Sequence, residues 1–124
     1  MALKYALWAG VAMALVAGLE LLFKTPFGGI LHYTPLHFAF DTAIAAVLLG
    51  TAASQNGAAA KTVSLAAGAL FLLTFLAVMV APASVSNIIG YPVGWFYLLI
   101  HLTLGCTGVI FPFLKSGKAG QRAT

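Results

Sequence analysis

Four long apolar stretches dominate the chain, and short segments containing polar, Pro or Gly residues separate them. The first stretch alone would be about 28 Å long as a helix, which is enough to cross the hydrocarbon core of a bilayer. The pattern predicts transmembrane helices at about residues 5–23, 36–53, 62–81 and 95–114. We therefore expect an all-α, four-helix transmembrane bundle that forms a single membrane domain over residues 1–124.

Capping and turn residues place the predicted helix boundaries. Thr34 followed by Pro35 is a typical helix start, because the threonine side chain can cap the helix and proline suits its first turn. The segment 54–61 is the most polar interruption and is interpreted as a short exposed turn. Pro82 is expected to end the third helix, and 83–94 is interpreted as a connection to the fourth.

Composition supports a membrane location. Hydrophobic residues make up 62% of the chain, charged residues make up 6%, and the mean hydropathy is +1.05. A soluble globule of this composition would have almost no polar surface. A nucleic-acid partner is not expected, because no basic stripe with interleaved aromatic residues is present. The single cysteine, Cys106, offers no disulfide framework and no zinc pattern.

The basic residues predict an orientation. Five of the six lie in the N-terminal segment, the central turn and the tail 115–124; they are Lys4, Lys61, Lys115, Lys118 and Arg122. The sixth, Lys24, lies in the first connection. Because cytoplasmic segments of membrane proteins are enriched in Lys and Arg, we expect both termini to be cytoplasmic and the tail to be flexible and basic. This distribution also accounts for the net charge of +4 without an anionic ligand.

The two halves of the chain are weakly similar to each other. Residues 4–23 align with 61–80, and residues 35–41 align with 94–101, which places His101 at or next to the position of Asp41. Two helix pairs of the same topology predict a parallel repeat about an axis along the membrane normal.

This arrangement of tandem hairpins resembles a bacterial four-helix membrane family of unassigned activity. The second helix of each half in that family has a pattern similar to Asn-x-x-x-Asn-x-x-His-Leu-x-x-Gly. The present chain has Ile-His-Leu-Thr-Leu-Gly at 100–105, and Pro-Leu-His at 35–37 followed by Asp41, where the family more often has a second histidine. The resemblance implies the four-helix fold and a multi-pass location in the bacterial inner membrane.

Ionisable residues inside the predicted spans are the candidate functional residues. Asp41 lies within the second span and His37 lies one helical turn before it. A carboxylate at membrane depth is costly to bury, so it should face protein or water and have a partner. Glu20 and His101 fall in the same leaflet as Asp41, and Tyr97 shares a helix face with His101. We predict a direct Asp41–His101 pair, with Glu20, His37 and Tyr97 around it.

Small residues predict where helices pack closely. Gly10, Ala14 and Gly18 recur every fourth residue along the first helix, and Gly105 and Gly108 lie near His101 on the fourth. Such stripes of small residues allow the backbones of two helices to approach each other.

Three functions are compatible with this pattern. The first is an interaction protein, either an accessory subunit or a homo-oligomer, in which the Asp/His cluster fixes helix packing and the partners are membrane lipid and other membrane subunits. The second is a protein that handles protons or a small ligand at the same cluster. The third is a protein with a haem or pigment bound by histidine. We expect no enzymatic activity, metal or resident cofactor, because no spacing forms a recognised catalytic motif.

Overall fold

The computed structural model describes residues 1–22 and 33–115, and every regular element in these ranges is helical. The elements are α1 (Ala2–Leu22), α2 (Pro35–Ala53), α3 (Gly57–Val80), α4 (Pro82–Ile89), α5 (Trp95–Ile110) and a 3-10 turn (Phe111–Phe113). The helices α1, α2, α3 and α5, the last with its 3-10 turn, are each long and apolar enough to cross a membrane. The chain is thus a small, all-α, multi-pass membrane protein. The predicted flexible tail from residue 116 onward lies outside the described residues.

The start of α2 agrees with the predicted cap. The Thr34 side chain accepts a hydrogen bond from the His37 backbone N–H at 3.3 Å, and Pro35 is the first helical residue. This cap fixes the first turn of α2, which carries His37.

The predicted start of the third helix at residue 62 was wrong. α3 begins at Gly57, because Asn56 caps it by accepting a hydrogen bond from the Ala59 N–H at 3.0 Å. The run of alanines that follows favours helix, so only the first three residues of the segment 54–61 form the turn. The polarity of that segment reflects exposure rather than a break in the helix.

The connection 83–94 contains a helix that the sequence interpretation missed. Pro82 ends α3 as expected but is also the first residue of α4. α4 ends at Ile89 and is followed by Gly90, whose φ of 87° is left-handed and whose N–H donates to the Ser86 carbonyl. Proline at a helix start and glycine just after its end are typical boundary residues. α4 lies against the end of α3 and forms one wall of the cavity described below.

Two helix pairs make the tightest contacts, α1 with α2 and α3 with α5, and α3 also packs against α1 and α2. The buried apolar core lies between them; its members are Tyr5, Ala6, Ala9, Met13, Ala45, Leu48, Ala52, Phe71 and Leu104. The four long helices therefore form a bundle of two hairpins. The parallel repeat and the cytoplasmic termini stay predictions.

Glycines bring the helices of the second hairpin into backbone contact. A Cβ added at Gly68 of α3 would lie 2.7 Å from the Gly108 carbonyl carbon of α5, and one at Gly105 would lie 2.7 Å from Leu72 Cγ. The Tyr5 hydroxyl reaches the same crossing and donates to the Leu104 carbonyl at 2.9 Å. Gly105 and Gly108 thus lie at helix contacts, and Gly68 and Tyr5 are partners that the sequence did not indicate.

Of the small-residue stripe of α1, only Gly10 lies at a close helix contact. A Cβ at Gly10 would lie 2.9 Å from Leu49 Cγ of α2, but one at Gly18 would meet no described residue within 4 Å, and Ala14 is exposed. The buried face of α1 instead passes through Met13, Ala17 and Glu20, so it is rotated away from Ala14 and Gly18.

Candidate functional site

Glu20, His37 and Asp41 form a buried cluster between α1 and α2. His37 Nδ1 lies 3.2 Å from Glu20 Oε1 and 3.3 Å from Asp41 Oδ2. Glu20 is 1% exposed and Asp41 is 5% exposed. One ligand atom from each of the three residues can be chosen so that all three atoms lie within 4.8 Å of one another. A single imidazole therefore joins two carboxyl groups that come from two helices.

Helical spacing explains how the three side chains meet. His37 and Asp41 are four residues apart on α2, so they lie on the same face one turn apart. Glu20 follows Met13 and Ala17 at helical intervals on the buried face of α1, and that face packs against α2. The end of α1 and the start of α2 are at the same end of the bundle, which brings the acid to the imidazole.

The cluster contains more hydrogen-bond acceptors than its imidazole can satisfy. His37 Nδ1 carries at most one proton, which it can share with only one carboxyl group at good geometry. Among the residues that the structure describes, Glu20 Oε2 and Asp41 Oδ2 have no hydrogen-bond partner, although both atoms are buried and Asp41 Oδ2 is within ion-pair distance of His37. Buried acceptors of this kind are unusual in folded proteins and commonly indicate a site for water, an ion or a ligand.

Aromatic rings surround the imidazole of His37. The Tyr97 ring centroid is 5.9 Å from that of His37, and the Tyr91 ring meets His37 edge-on at 5.4 Å. The Tyr91 hydroxyl lies 3.3 Å from His37 Nε2. Burial, with Tyr97 and Glu20 contributing further, raises the pKa of Tyr91, so its hydroxyl stays protonated and can donate a hydrogen bond.

His101 belongs to the same cluster but does not form the predicted pair with Asp41. The ion pair that the structure shows for Asp41 is with His37. His101 Nδ1 instead lies 2.8 Å from the Tyr97 carbonyl one turn earlier in α5. The His101 ring stacks on Tyr97 with a centroid distance of 4.0 Å and meets Phe71 edge-on at 5.5 Å. The Tyr97 carbonyl accepts the Nδ1 proton of His101, and the two aromatic rings hold the imidazole in place. These local contacts take the place of the predicted contact with the Asp41 carboxyl group.

The hydrogen bond of His101 determines its tautomer. A backbone carbonyl only accepts, so Nδ1 must carry the proton, and in a neutral imidazole Nε2 is then an acceptor. His101 and Asp41 therefore both carry hydrogen-bond acceptors, and both residues line the space between α2 and α5.

A cavity of about 440 Å³ occupies that space. Apolar side chains of α2, α3 and α4 line most of it, and the polar lining side chains include His37, Asp41, Tyr97 and His101. Leu36, Phe40, Leu73 and Ile88 are lining residues that are more than half exposed, so the cavity opens towards the side of the bundle. Its volume falls within the range of small-molecule sites.

A second, much smaller cavity of about 30 Å³ lies on the α1 side of the same side chains. Its lining includes all five residues singled out in the sequence, namely Glu20, His37, Asp41, Tyr97 and His101. A void of this size has room for about two or three water-sized groups, given roughly 10 to 15 Å³ for each. The five candidates thus meet at one place, with His37 rather than His101 at the centre.

Sequence reasoning missed several contributors to the site. Tyr91 and Phe71 contact the two imidazoles, and Ile88 closes part of the cavity from α4. The contact between His37 and Asp41, by contrast, had a signal in the sequence, because their His-x-x-x-Asp spacing places both side chains on one helix face.

Comparison with known proteins gives no relative for this chain. No protein-family model, no curated protein and no solved structure matches it. The resemblance to a four-helix bacterial family therefore stays a prediction, and the function is inferred from the geometry of the site alone.

Proposed function

We propose that this membrane protein binds one lipophilic molecule with a hydroxyl-bearing head group in the cavity between α2 and α5. The proposal rests on one observation: an apolar cavity of about 440 Å³ has the polar residues Asp41 and His101 in its wall. The apolar part of the ligand would lie among the leucine and isoleucine side chains, and its hydroxyl group would reach the acceptors.

The chemistry of the wall favours a hydrogen-bond donor as ligand. Asp41 Oδ2 is buried and has no hydrogen-bond partner within residues 1–22 and 33–115, and His101 Nε2 is an acceptor because the Nδ1 proton is donated to the Tyr97 carbonyl. A ligand that only accepts hydrogen bonds would leave both groups unsatisfied, and that costs free energy in an apolar environment. The nearby rings of Phe71 and Tyr97 also suit a planar head group such as a phenol or a quinol.

The position of the cavity favours entry from the membrane. Leu73 is 64% exposed and Ile88 is 69% exposed, and both lie at the cavity. An apolar molecule dissolved in the bilayer could therefore reach the cavity without passing through water. The polar end of the cavity lies near the start of α2, where an interfacial hydroxyl group would be found.

A cavity-filling variant tests the proposal. Ala77 is an exposed residue of α3 that lines the cavity, so Ala77→Phe should occupy part of its volume. We expect the purified wild-type protein to bind a long-chain alkylphenol saturably, and the variant to bind it at least about tenfold more weakly because of steric overlap. Quenching of the intrinsic tryptophan and tyrosine fluorescence would follow binding.

Ala69→Phe is the matched control, because Ala69 is also exposed on α3 but does not line the cavity. This variant should bind the alkylphenol as the wild type does. Equal binding by the wild type and by Ala77→Phe would contradict the proposal, and so would binding that increases without saturation, which indicates simple partitioning.

A second candidate is the packing role predicted from the sequence. Glu20 of α1 contacts His37 of α2, so the cluster also fixes the two helices of the first hairpin against each other. In this role the protein would be an accessory subunit or a homo-oligomer of a bacterial inner membrane. The alternative of a haem or pigment bound by His37 or His101 stays a prediction, which the absorption spectrum of the purified protein would test.

A further inference from the structure

We infer that Glu20, His37 and Asp41 bind one divalent transition-metal ion, for which Zn²⁺ is the probe. The proposed site lies beside the small cavity on the α1 side, away from the apolar part of the large cavity. It departs from the sequence-based expectation of no metal. Because Asp41 takes part in both proposals, they are tested separately: metal binding is measured with no alkylphenol present, and alkylphenol binding is measured on chelator-treated protein.

The spacing of the ligand atoms fits a tetrahedral ion. With metal–ligand bonds of about 2.0 to 2.1 Å, neighbouring ligand atoms of a tetrahedron lie about 3.3 Å apart. The distances from His37 Nδ1 are 3.2 Å to Glu20 Oε1 and 3.3 Å to Asp41 Oδ2. An ion in place of the Nδ1 proton would contact all three groups with small side-chain movements.

The charge of the cluster also favours a divalent cation. In the metal-bound form the two carboxyl groups would be ionised and the imidazole neutral, so their combined charge of −2 would cancel that of a divalent ion inside an apolar bundle. Glu20 Oε2 and Asp41 Oδ2 have no hydrogen-bond partner in the part of the chain that the structure describes, and both side chains are more than nine-tenths buried. An ion would give both carboxyl groups a partner that His37 alone does not provide.

The small cavity can supply the remaining coordination position. Three protein ligands leave one position of a tetrahedral ion open, and open sites of this kind usually hold water. The cavity of about 30 Å³ borders the three ligands. Tyr91 and Tyr97 also line it, and their hydroxyl groups could hydrogen-bond a water bound to the ion.

Metal analysis of the purified protein tests the site. After treatment with a chelator and dialysis against Zn²⁺, we expect about one tightly bound ion per chain in the wild type. His37→Gln and Asp41→Asn each remove one ligand at similar size and should weaken binding at least about tenfold. Zn²⁺ should also raise the unfolding temperature of the wild type, because an ion that binds only the folded state stabilises it, and this increase should be lost in both variants.

Cys106→Ser is the control, because Cys106 offers the only thiol of the chain. It should keep the bound Zn²⁺. A measurement on the wild type alone makes the test independent of whether the ligand variants fold: Co²⁺ should give the strong visible absorption of a tetrahedral site without a thiolate charge-transfer band. The inference is overturned if the wild type retains no ion, if both ligand variants retain it fully, or if the cobalt spectrum shows thiolate ligation.

Discussion

At the scale of single residues, the central feature is one imidazole between two buried carboxyl groups. Burying charged groups is costly, and a buried pair is tolerated only with good geometry and further hydrogen bonds. His37 Nδ1 carries one proton and lies 3.2 and 3.3 Å from two carboxyl groups, and among the described residues Glu20 Oε2 and Asp41 Oδ2 have no hydrogen-bond partner. The proposals of a bound head group and of a bound ion both start from these atoms.

A double-mutant cycle tests whether Glu20 and His37 act as a unit. Glu20→Gln and His37→Gln should each lower the free energy of unfolding by about 1 to 3 kcal/mol, because each leaves a buried polar partner without its charge. The double change should cost less than the sum by at least about 0.5 kcal/mol. Unfolding in mixed detergent micelles, followed by circular dichroism, measures both quantities.

Thr62→Val provides the control for that cycle. Thr62 is exposed, bonds only the Ala58 carbonyl of its own helix, and lies near the opposite end of the bundle. The changes in the free energy of unfolding caused by Thr62→Val and by Glu20→Gln should add to within about 0.5 kcal/mol. Strict additivity of Glu20→Gln and His37→Gln would show that the contact between them contributes nothing to stability.

The identity of the site residues could be predicted from the sequence, but their pairing could not. Placing an acid or imidazole inside an apolar span is costly enough that Glu20, His37, Asp41 and His101 stand out without a structure. Which acid meets which imidazole depends on helix rotation and on local hydrogen bonds. His101 bonds the Tyr97 carbonyl one turn away, and no sequence pattern indicated that this local bond replaces the pair with Asp41.

At the scale of the helices, close backbone approach holds the second hairpin together. Gly68 and Gly108 meet where α3 crosses α5, with no space for a Cβ between them. Burial of apolar side chains contributes little to helix association within lipid, so dispersion contacts at such crossings become important. The crossing lies away from the cluster and fixes the wall of the cavity that α3 provides.

Two alanine substitutions separate packing from helix propensity. Gly68→Ala should lower the free energy of unfolding by about 1 to 3 kcal/mol, because its Cβ would overlap backbone atoms of α5. Gly18→Ala adds the same methyl group where none of residues 1–22 and 33–115 lies within 4 Å, and it should be neutral or stabilise by up to about 1 kcal/mol. Equal effects of the two substitutions in the same unfolding assay would contradict the crossing.

The long helices were predictable because their apolar runs match the thickness of a bilayer. The short α4 was not, because eight residues of mixed polarity give no spanning signal. Its boundaries were nevertheless encoded by Pro82 and Gly90, a proline at the start and a glycine after the end. The start of α3 at Gly57 was also missed, because its cap, Asn56, lies within the polar segment 54–61 that was interpreted as a turn.

At the scale of the whole molecule, the two ends of the bundle differ in chemistry. At one end, Tyr5 meets Phe111, and Lys61 Nζ lies 5.2 Å from the Phe113 ring. At the other end, Thr34 donates to the Ile89 carbonyl at 2.7 Å, next to the cluster. The cavity lies between α2 and α5 with α3 and α4 as its other walls, so the bundle positions polar acceptors at the end of a space that is otherwise apolar.

The most direct test of the account compares an alkylphenol with its methyl ether, in the wild type and in Asp41→Asn. The ether fills the same volume but cannot donate a hydrogen bond. We predict that the wild type prefers the phenol by about tenfold or more, as expected for one hydrogen bond made in an apolar site, and that Asp41→Asn loses most of this preference. Equal affinity of the wild type for the two molecules, or an unchanged preference in Asp41→Asn, would contradict the proposed role of Asp41 at the cavity.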